Sequence, residues 1–260
     1  MERWQAIVLG AVQGFTEFLP VSSSGHLILL QNWFGIQENV IFYSVMLHLG
    51  TLIPVVIVLW KEILSFFKKP FSKFGYWVLA TIPAGIVGII FSKVINLDNI
   101  FASNVWLLSI TFLITAIELL YAEWHSKEVK MLNGINVKTS LIMGCGQAFG
   151  VLPGVSRSGS TITAGCLAGV KKDQNANFTF IMSIPIIVAA VLLESLEIVT
   201  GGGIGTIDVV PLIFGMLTAL ISGYIAIKFM LKIIKKANDK WFSIYLILLS
   251  FTNFLVYVIQ

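Results

Sequence analysis

Two short segments of the chain concentrate polar side chains between long apolar stretches. The first segment, QGFTEFLPVSSSGH, runs from Gln13 to His26 and contains the carboxylate of Glu17 and a run of three serines. Glu17 follows Gln13 by four residues and His26 follows Ser23 by three, so each pair shares one face of a helix. A hydroxyl that lies close to a carboxylate and an imidazole is typical of nucleophilic and acid–base catalysis.

The second segment, LPGVSRSGST, runs from Leu152 to Thr161 and places Arg157 among hydroxyl-bearing side chains. Arg157 is one of only two arginines in the sequence, the other being Arg3. Its planar guanidinium matches the oxygens of a phosphate, and a helix that begins near Ser158 would direct free N–H groups to the same place. The sequence therefore predicts a phosphate site in which hydroxyl groups of the second segment surround Arg157, namely those of Ser156, Ser158, Ser160 and Thr161. Further predicted donors from the first segment are Gln13, Ser22 and Ser24.

Purely structural interpretations exist for the same residues. Ser22 and Ser24 are of a type that commonly caps helices. Arg157 could pair with Glu17 only to hold two helices together. His48 lies alone in another apolar stretch, where packing is the favoured interpretation. Burying a carboxylate, a guanidinium and an imidazole together is costly, however, and this cost favours a functional site.

The composition is that of a membrane protein. Of the 260 residues, 57% are hydrophobic and 12% are charged, and the mean hydropathy is +0.91, whereas soluble domains carry about 25% charged residues. The net charge of +4 does not indicate a nucleic acid partner, because the cations lie in loops between apolar stretches. Six stretches are long enough to cross a bilayer as helices: residues 40–60, 75–95, 104–121, 175–194, 208–231 and 241–259.

Two further apolar stretches are each interrupted near the middle. The first runs from Trp4 to Phe18 and resumes from Ser24 to Phe34, and the second runs from Thr139 to Leu152 and resumes to about Val170. No half is long enough to cross about 30 Å of hydrocarbon as a helix. We therefore expect two re-entrant helix-turn-helix pairs. Their turns would lie at mid-membrane, where irregular backbone is tolerated only beside protein or a water-filled cavity.

The placement of lysines supports this topology. If the six spans alternate and both pairs are re-entrant, fourteen of the 17 basic residues fall on one side of the membrane. The positive-inside rule then places that side in the cytoplasm and both termini outside. The fourteen residues are Lys61, Lys68, Lys69, Lys73, Lys127, Lys130, Lys138, Lys171, Lys172, Lys228, Lys232, Lys235, Lys236 and Lys240.

The two halves of the chain follow the same order, a broken pair and then three spans, in opposite orientations. The motif Gln13-x-Phe15 before the first turn recurs as Gln147-x-Phe149 before the second. We therefore predict an all-α polytopic membrane protein with a single domain over residues 1–260, built from an inverted repeat of about 1–121 and 139–260. Inverted repeats with broken helices are best known in transporters, so a transporting function is an alternative.

The segments QGFTEFLPVSSSGH and PGVSRSGST resemble the two signature regions of the undecaprenyl-pyrophosphate phosphatase family, also called the bacitracin-resistance family. The resemblance extends over essentially the whole chain. It implies a multi-pass enzyme of the bacterial plasma membrane that hydrolyses undecaprenyl pyrophosphate to the monophosphate and phosphate, which recycles the lipid carrier for cell-wall synthesis and confers bacitracin resistance. It also implies an outward-facing site and a divalent metal, Mg²⁺ or Ca²⁺.

Matched by position, the resemblance assigns a role to each polar residue of the two segments. Glu17 becomes the metal-binding glutamate, and Gln13 takes the variable first place of the same motif. His26 and the serines at 22–24 match the catalytic histidine and serines. The phosphate-binding motif is matched by Ser156, Arg157 and Thr161.

Two mechanisms are compatible with these assignments. In one, Ser23 is deprotonated with help from His26 and attacks the terminal phosphorus while Arg157 holds the pyrophosphate. In the other, His26 or Glu17 activates a water molecule directly. The expected partners are a polyprenyl pyrophosphate and membrane lipids, and the sequence leaves open a homodimer.

Overall fold

The computed structural model describes residues 1–36, 40–128, 133–200, 208–233 and 240–259. Within these ranges the chain is helical and contains no β-strand, apart from an isolated bridge between Asn133 and Val170. The predicted all-α fold class is confirmed. The helices, in chain order, are α1 (Arg3–Phe18), α2 (Ser23–Trp33), α3 (Val40–Val58), α4 (Trp60–Phe66), α5 (Ser72–Ile89), α6 (Leu97–Ser103), α7 (Leu107–Glu128), α8 (Val137–Phe149), α9 (Arg157–Leu167), α10 (Lys172–Thr200), α11 (Val209–Ile233) and α12 (Lys240–Ile259).

Among the described residues, six helices are long and apolar enough to cross a membrane, namely α3, α5, α7, α10, α11 and α12. The predicted number of spans is therefore confirmed, and their limits agree closely with the sequence. α7 begins later than predicted, at Leu107, because the short helix α6 precedes it. Large apolar side chains on the outer surfaces, such as Leu248 and Phe251 of α12, are more than half exposed, as expected for a surface that contacts lipid.

α1 and α2 form a consecutive pair of shorter helices, and so do α8 and α9. At 1.5 Å per residue their lengths are about 16–24 Å, less than the thickness of the hydrocarbon core of about 30 Å. Both pairs lie where the sequence predicts broken segments. That each pair enters and leaves the membrane on the same side stays a prediction.

α1 lies against α11 at backbone distance. A Cβ atom at Gly10 would overlap the carbonyl of Gly215, and one at Gly14 would overlap the carbonyl of Ala219 and the hydroxyl of Ser222. That hydroxyl also lies 3.4 Å from the Gly10 carbonyl, to which it donates. Small residues at four-residue spacing permit such close packing in membranes. The contact fixes the position of the C-terminal turn of α1, which carries the first predicted site residues.

α8 lies against α5 in a similar way, because a Cβ atom at Gly144 would overlap the carbonyl of Ala80. The first helix of each short pair therefore packs on a spanning helix from the other half of the chain. In addition, α3 packs on α10 and α7 packs on α12. Two halves related by a two-fold axis would show this exchange of partners, but the inverted repeat and its limits stay predictions.

Pro185 in α10 leaves one backbone carbonyl without its helical donor, because proline has no N–H. That carbonyl belongs to Ile181, and the indole N–H of Trp77 in α5 donates to it at 3.0 Å. A freed carbonyl must find such a partner within the protein when no water is near. The contact holds α10 against α5 at the turn that precedes residues 186–190, which line the cavity described below.

The lysines of the predicted cytoplasmic side lie at helix ends and in connections. Lys172 and Lys240 begin α10 and α12, and Lys228 and Lys232 lie in the last turns of α11. The side of the membrane that they face stays a prediction. Three of the fourteen lie outside the described residues: Lys130, Lys235 and Lys236.

Candidate active site

The turns of the two short helix pairs meet each other. The hydroxyl of Ser158 donates to the carbonyl of Leu19 at 3.2 Å, and the N–H of Gly154 donates to the hydroxyl of Ser24 at 3.4 Å. Gly154 has a φ of +83°, and a Cβ atom added to Gly25 would lie 2.9 Å from its Cα. Glycine permits both the conformation and the close approach. The two predicted site segments are therefore in direct contact.

Each turn ends in a serine that caps the following helix. Ser22 Oγ accepts the N–H of Gly25 at 3.3 Å at the start of α2, and Ser156 Oγ accepts the N–H of Gly159 at 3.1 Å at the start of α9. Ser22 also has a φ of 69°, a conformation that costs a residue other than glycine about 1–3 kcal/mol. Because this residue directly precedes Ser23, it sets the direction in which the Ser23 side chain leaves the helix.

Glu17, in the last turn of α1, is the centre of a polar cluster. Its Oε2 accepts the hydroxyl of Ser23 at 2.8 Å and the amide N–H of Gln13 at 3.0 Å. Its Oε1 accepts an N–H of Arg157, and Nε2 of His48 lies 3.4 Å from Oε2. Only 4% of the Glu17 side chain is exposed, so these contacts replace the water that a buried carboxylate would otherwise need. We call these five residues the carboxylate cluster.

Arg157 is the first residue of α9, and its side chain is 18% exposed. Its contact with Glu17 is the ion pair that the sequence leaves open as a structural alternative. A guanidinium has five N–H donors, so the pair leaves donors for an anion in the adjoining space. The positive end of the α9 dipole lies at the same residue. The ion pair is therefore compatible with a phosphate site.

His26 is bonded away from Ser23. Its Nδ1 donates to the carbonyl of Ser22 at 2.7 Å, because a carbonyl oxygen only accepts, and its Nε2 lies 2.6 Å from the hydroxyl of Tyr245 in α12. The imidazole also packs against the rings of Tyr245 and Phe112. The structure does not bring His26 to Ser23, because both ring nitrogens have other partners and Ser23 donates to Glu17. That His26 helps to deprotonate Ser23 stays a prediction. We call His26, Ser22, Tyr245 and Phe112 the histidine cluster.

His48 is the site residue that sequence reasoning missed. It lies in α3, and its Nδ1 donates to the carbonyl of Ser44 at 2.7 Å while its Nε2 faces Glu17. Its side chain is 22% exposed and lines both cavities beside the cluster. The one available signal was an ionisable side chain inside a span, which is a functional hypothesis by default. Its partner lies 31 positions away in the sequence and could not be deduced from local spacing.

Four hydroxyls of the predicted phosphate site bond to the backbone of the turns instead. Ser22 and Ser156 are the caps already described, Ser158 donates to the carbonyl of Leu19, and Thr161 donates to the carbonyl of Arg157 at 2.8 Å. All four side chains are buried. The structure therefore gives them a role in shaping the turns. Among the four, only Ser158 lines a space beside Glu17 and Arg157, a narrow one of about 10 Å³. Ser23 and Ser24 do line a cavity.

Besides that narrow space, two larger cavities adjoin the carboxylate cluster and share the wall formed by Ser24, Val45 and His48. The smaller cavity, of about 240 Å³, contains Ser23 and Arg157 at one end. The larger, of about 420 Å³, lies between α2, α3 and α6. The groups that could bind and attack a phosphate therefore converge on the smaller cavity.

The cluster offers a limited set of ligands for a divalent metal. Among the described residues, no group of three or more His, Cys, Asp and Glu side chains converges as a metal site. Glu17 supplies a carboxylate, and the side-chain oxygen of Gln13 next to it is buried without a hydrogen-bond partner. Mg²⁺ is commonly held by one or two protein oxygens together with substrate phosphates and water. The residues present therefore fit a metal that is completed by the substrate.

The amino-acid sequence matches a known family over most of its length. Residues 6–252 match the model of the family described as bacitracin resistance protein BacA. The chain is 39% identical to an undecaprenyl-diphosphatase of Carboxydothermus hydrogenoformans over 97% of this chain and 96% of that protein.

Two other relatives with the same name show similar agreement. The relative from Moorella thermoacetica is 40% identical over 95% of this chain and 94% of its own length. The relative from Bacteroides fragilis is 37% identical over the full length of both chains. The match covers both turns, all the spanning helices and the carboxylate cluster. This chain belongs to the bacitracin resistance protein BacA family.

Proposed function

We propose that this protein hydrolyses undecaprenyl diphosphate to undecaprenyl phosphate and inorganic phosphate. The relatives that match it over nearly its whole length are named undecaprenyl-diphosphatase. The observation that carries the proposal is the carboxylate cluster, in which one buried carboxylate contacts both a serine hydroxyl and an arginine beside a cavity. Phosphoryl transfer needs a nucleophile next to a base and a cation that binds the phosphate oxygens, and the serine hydroxyl and the guanidinium can fill these two roles.

The geometry favours Glu17 as the group that accepts the proton of Ser23. The hydroxyl of Ser23 attacks the terminal phosphorus, so a bond forms between its oxygen and phosphorus while the bond to the bridging oxygen breaks. Undecaprenyl phosphate leaves with the electron pair of that bond, and the proton of Ser23 passes to Glu17, 2.8 Å away. Water then cleaves the phosphoserine to release phosphate, with Glu17 acting on that water.

Arg157 binds and orients the diphosphate in this scheme. Its donors that do not contact Glu17 bind the oxygens of the phosphoryl group during transfer, where negative charge redistributes. His48 and Ser24 contact the same cavity from the opposite wall. Binding of the diphosphate to Arg157 also weakens the contact between Arg157 and Glu17, which makes the carboxylate a better base when substrate is present.

We also propose that a divalent metal, Mg²⁺ or Ca²⁺, acts at this site. Glu17 would hold it through its carboxylate, together with the side-chain oxygen of Gln13. A bound metal would neutralise charge on the diphosphate oxygens. The steps assigned above to Ser23, Glu17 and Arg157 follow from contacts within the protein.

The location follows from the proposed reaction and from the lysine distribution. We place the protein in the plasma membrane of a bacterium, with the lysine-rich side in the cytoplasm, both termini outside and the cavities open to the outer face. Release of the monophosphate there would return the lipid carrier to cell-wall synthesis. The family name further supports a contribution to bacitracin resistance.

The experiment measures release of inorganic phosphate from undecaprenyl diphosphate by the purified protein in detergent, with and without EDTA. The wild type, Ser23→Ala, Glu17→Gln and Arg157→Ala are compared with Thr252→Ala, an exposed residue of α12 outside the site. We expect release by the wild type and the control, inhibition by EDTA, and loss in the three site variants. Binding of the lipid without phosphate release by the wild type would contradict the proposal.

The exchange of helix partners between the two halves supports a second candidate, a polyprenyl-phosphate flippase. Transport of a prenyl phosphate needs the binding cavity, but it does not need a serine hydroxyl next to a carboxylate base. In proteoliposomes, we expect Ser23→Ala to abolish phosphate release. Translocation of a fluorescent prenyl phosphate by the wild type that persists in Ser23→Ala would establish the second function.

A further inference from the structure

The smaller cavity is divided into a polar end and an apolar end. Ser23, His48 and Arg157 lie at the polar end, next to Glu17. The apolar end is lined by aliphatic side chains from the second turn and from α10, with Val45 of α3 beside them. A ligand that matches this division has an anionic group joined directly to a hydrocarbon chain.

One face of α10 supplies half of the aliphatic side chains at the apolar end. Ile186 and Ala190 are four residues apart and Ile187 and Ala190 are three apart, so the three side chains share a helical face. Val151 and Val155 of the second turn line the same cavity. The turn thus contacts both ends of the cavity, since Arg157 follows it directly.

The larger cavity does not combine the two ends in this way. Neither Ser23 nor Arg157 lines it, and amide and hydroxyl side chains are spread over its wall, including Gln31, Asn99 and Ser103. A hydrocarbon tail joined to a diphosphate at Arg157 would therefore extend along the apolar end of the smaller cavity.

We propose that Ile186, Ile187 and Ala190 form the subsite for the isoprene units next to the diphosphate and thereby determine specificity for prenyl substrates. This inference rests on the proposed function and names the part of the substrate that the protein contacts besides the phosphates. The cavity volume of about 240 Å³ is below the roughly 300–1,000 Å³ of pockets that enclose a whole drug-sized ligand. The first units of the tail are enclosed, and the rest of it stays in the bilayer.

The small side chain of Ala190 gives a direct test. Ala190→Phe adds a bulky side chain at the apolar end, and Ala189→Phe makes the same change at a neighbour that is exposed, as Ala190 is, but does not line the cavity. Two substrates are compared in detergent, a fifteen-carbon prenyl diphosphate and methyl diphosphate, which has no tail. Initial rates over a range of concentrations separate KM from kcat.

We expect Ala190→Phe to raise KM for the prenyl substrate by at least about tenfold, the factor for losing the apolar contact of roughly two methylene groups. The value of kcat/KM for methyl diphosphate should change by less than about threefold, because no tail is lost. Ala189→Phe should change neither substrate. Equal losses on both substrates, or no loss on either, would overturn the inference.

A second variant guards against misfolding of Ala190→Phe. Ile186→Ala removes apolar contact and introduces no bulk, and it should raise KM for the prenyl substrate a few-fold while leaving methyl diphosphate unchanged. An unchanged KM for the prenyl substrate in a folded Ile186→Ala protein would count against the subsite.

Binding separates this inference from the proposed function. A non-hydrolysable methylene-bridged analogue of the fifteen-carbon prenyl diphosphate is titrated into wild type, Ala190→Phe and Ala189→Phe. One outcome separates the two proposals: the wild type binds the analogue but releases no phosphate from the prenyl diphosphate, and only Ala190→Phe loses affinity for the analogue. The subsite then stands and the phosphatase proposal falls. If Ala190→Phe binds the analogue as tightly as the wild type does, the subsite is wrong even where hydrolysis is observed.

Discussion

The carboxylate cluster and the histidine cluster each contain a histidine held in the same way at one nitrogen. Nδ1 of His48 and Nδ1 of His26 each donate at 2.7 Å to the carbonyl four residues earlier in the helix. At Nε2 they differ, since His48 faces the carboxylate of Glu17 and His26 faces the hydroxyl of Tyr245. The same local anchor therefore orients one imidazole toward the carboxylate of Glu17 and the other toward α12.

Surroundings account for the difference between the two clusters. His26 lies among α2, α7 and α12, where aromatic rings cover it. His48 lies on α3 at the wall between two cavities, where a ligand can reach it. What decides the role of an imidazole is thus the partner of its second nitrogen, and that partner comes from elsewhere in the chain.

Glu17→Gln should have the largest effect on activity. The amide keeps the shape of the side chain but cannot accept the proton of Ser23, and losing a general base lowers the rate by about 10²–10⁴-fold. Tyr245→Phe removes the corresponding hydroxyl from the histidine cluster and should change kcat by less than about threefold. Phosphate release under saturating substrate measures both. If Tyr245→Phe lost as much activity as Glu17→Gln, the division into two clusters would fail.

His48→Ala should come next, with a loss of about 10- to 100-fold in kcat/KM. This is the effect of losing one contact to a charged group, about 1.5–3 kcal/mol. His48→Gln keeps an N–H group within reach of Glu17 and should recover most of the activity. The melting temperature of both variants in detergent should stay near that of the wild type, because His48 is partly exposed. Wild-type activity in His48→Ala would return this residue to a packing role.

His26→Ala should act mainly on stability. Its removal takes away one of the two donors to the buried carbonyl of Ser22, which keeps the backbone N–H of residue 26 at 3.3 Å. Losing that hydrogen bond costs about 0.5–1.5 kcal/mol, and the substitution also opens a space beside Phe112 and Tyr245. The midpoint of thermal unfolding in detergent should fall clearly, while the folded fraction keeps most of its kcat. A variant that melts like the wild type but loses activity about 10³-fold would make His26 catalytic, as the family resemblance implies.

Much of the fold could be predicted from the sequence, because the length and apolar character of each segment determine whether it can span a bilayer. The six spans follow from this property alone, and so do the two shorter pairs. The sequence does not predict α6, because this helix of seven residues between α5 and α7 is too short to show a periodic pattern of its own. The side of entry of each pair does not follow from the helix bounds, and it stays open.

The site was predicted less completely, for a geometric reason. Glu17, Ser23 and Arg157 could be predicted as site candidates, because ionisable and hydroxyl groups beside Pro and Gly mark both turns in the sequence. The direction of each hydroxyl was not predictable, since it depends on whether a backbone N–H or carbonyl of the turn is free. Ser156 and Thr161 are bonded to the backbone for this reason, whereas Ser23 is directed to Glu17.

Ser22 gives the smallest and most discriminating prediction. It belongs to the histidine cluster and directly precedes Ser23, the proposed nucleophile in the carboxylate cluster. Ser22→Gly relieves the positive φ, which costs about 1–3 kcal/mol, and loses only a few tenths of a kcal/mol as a cap. The gain is reduced by the greater freedom of glycine in the unfolded chain, about 0.5–1 kcal/mol. Ser22→Ala keeps the strain and loses about 1 kcal/mol of capping. We therefore expect Ser22→Gly to melt at a higher temperature than Ser22→Ala.

The two Ser22 variants should rank the opposite way in kcat. Glycine lets the turn vary the direction of the Ser23 hydroxyl, whereas alanine keeps the strained backbone that directs it to Glu17. Thermal unfolding and phosphate release on the same preparations test both rankings. A Ser22→Gly protein that is both more stable and fully active would show that the strain at this turn does not help to position the Ser23 hydroxyl. The hydrogen bond from His26 to the Ser22 carbonyl would then have no effect on the carboxylate cluster.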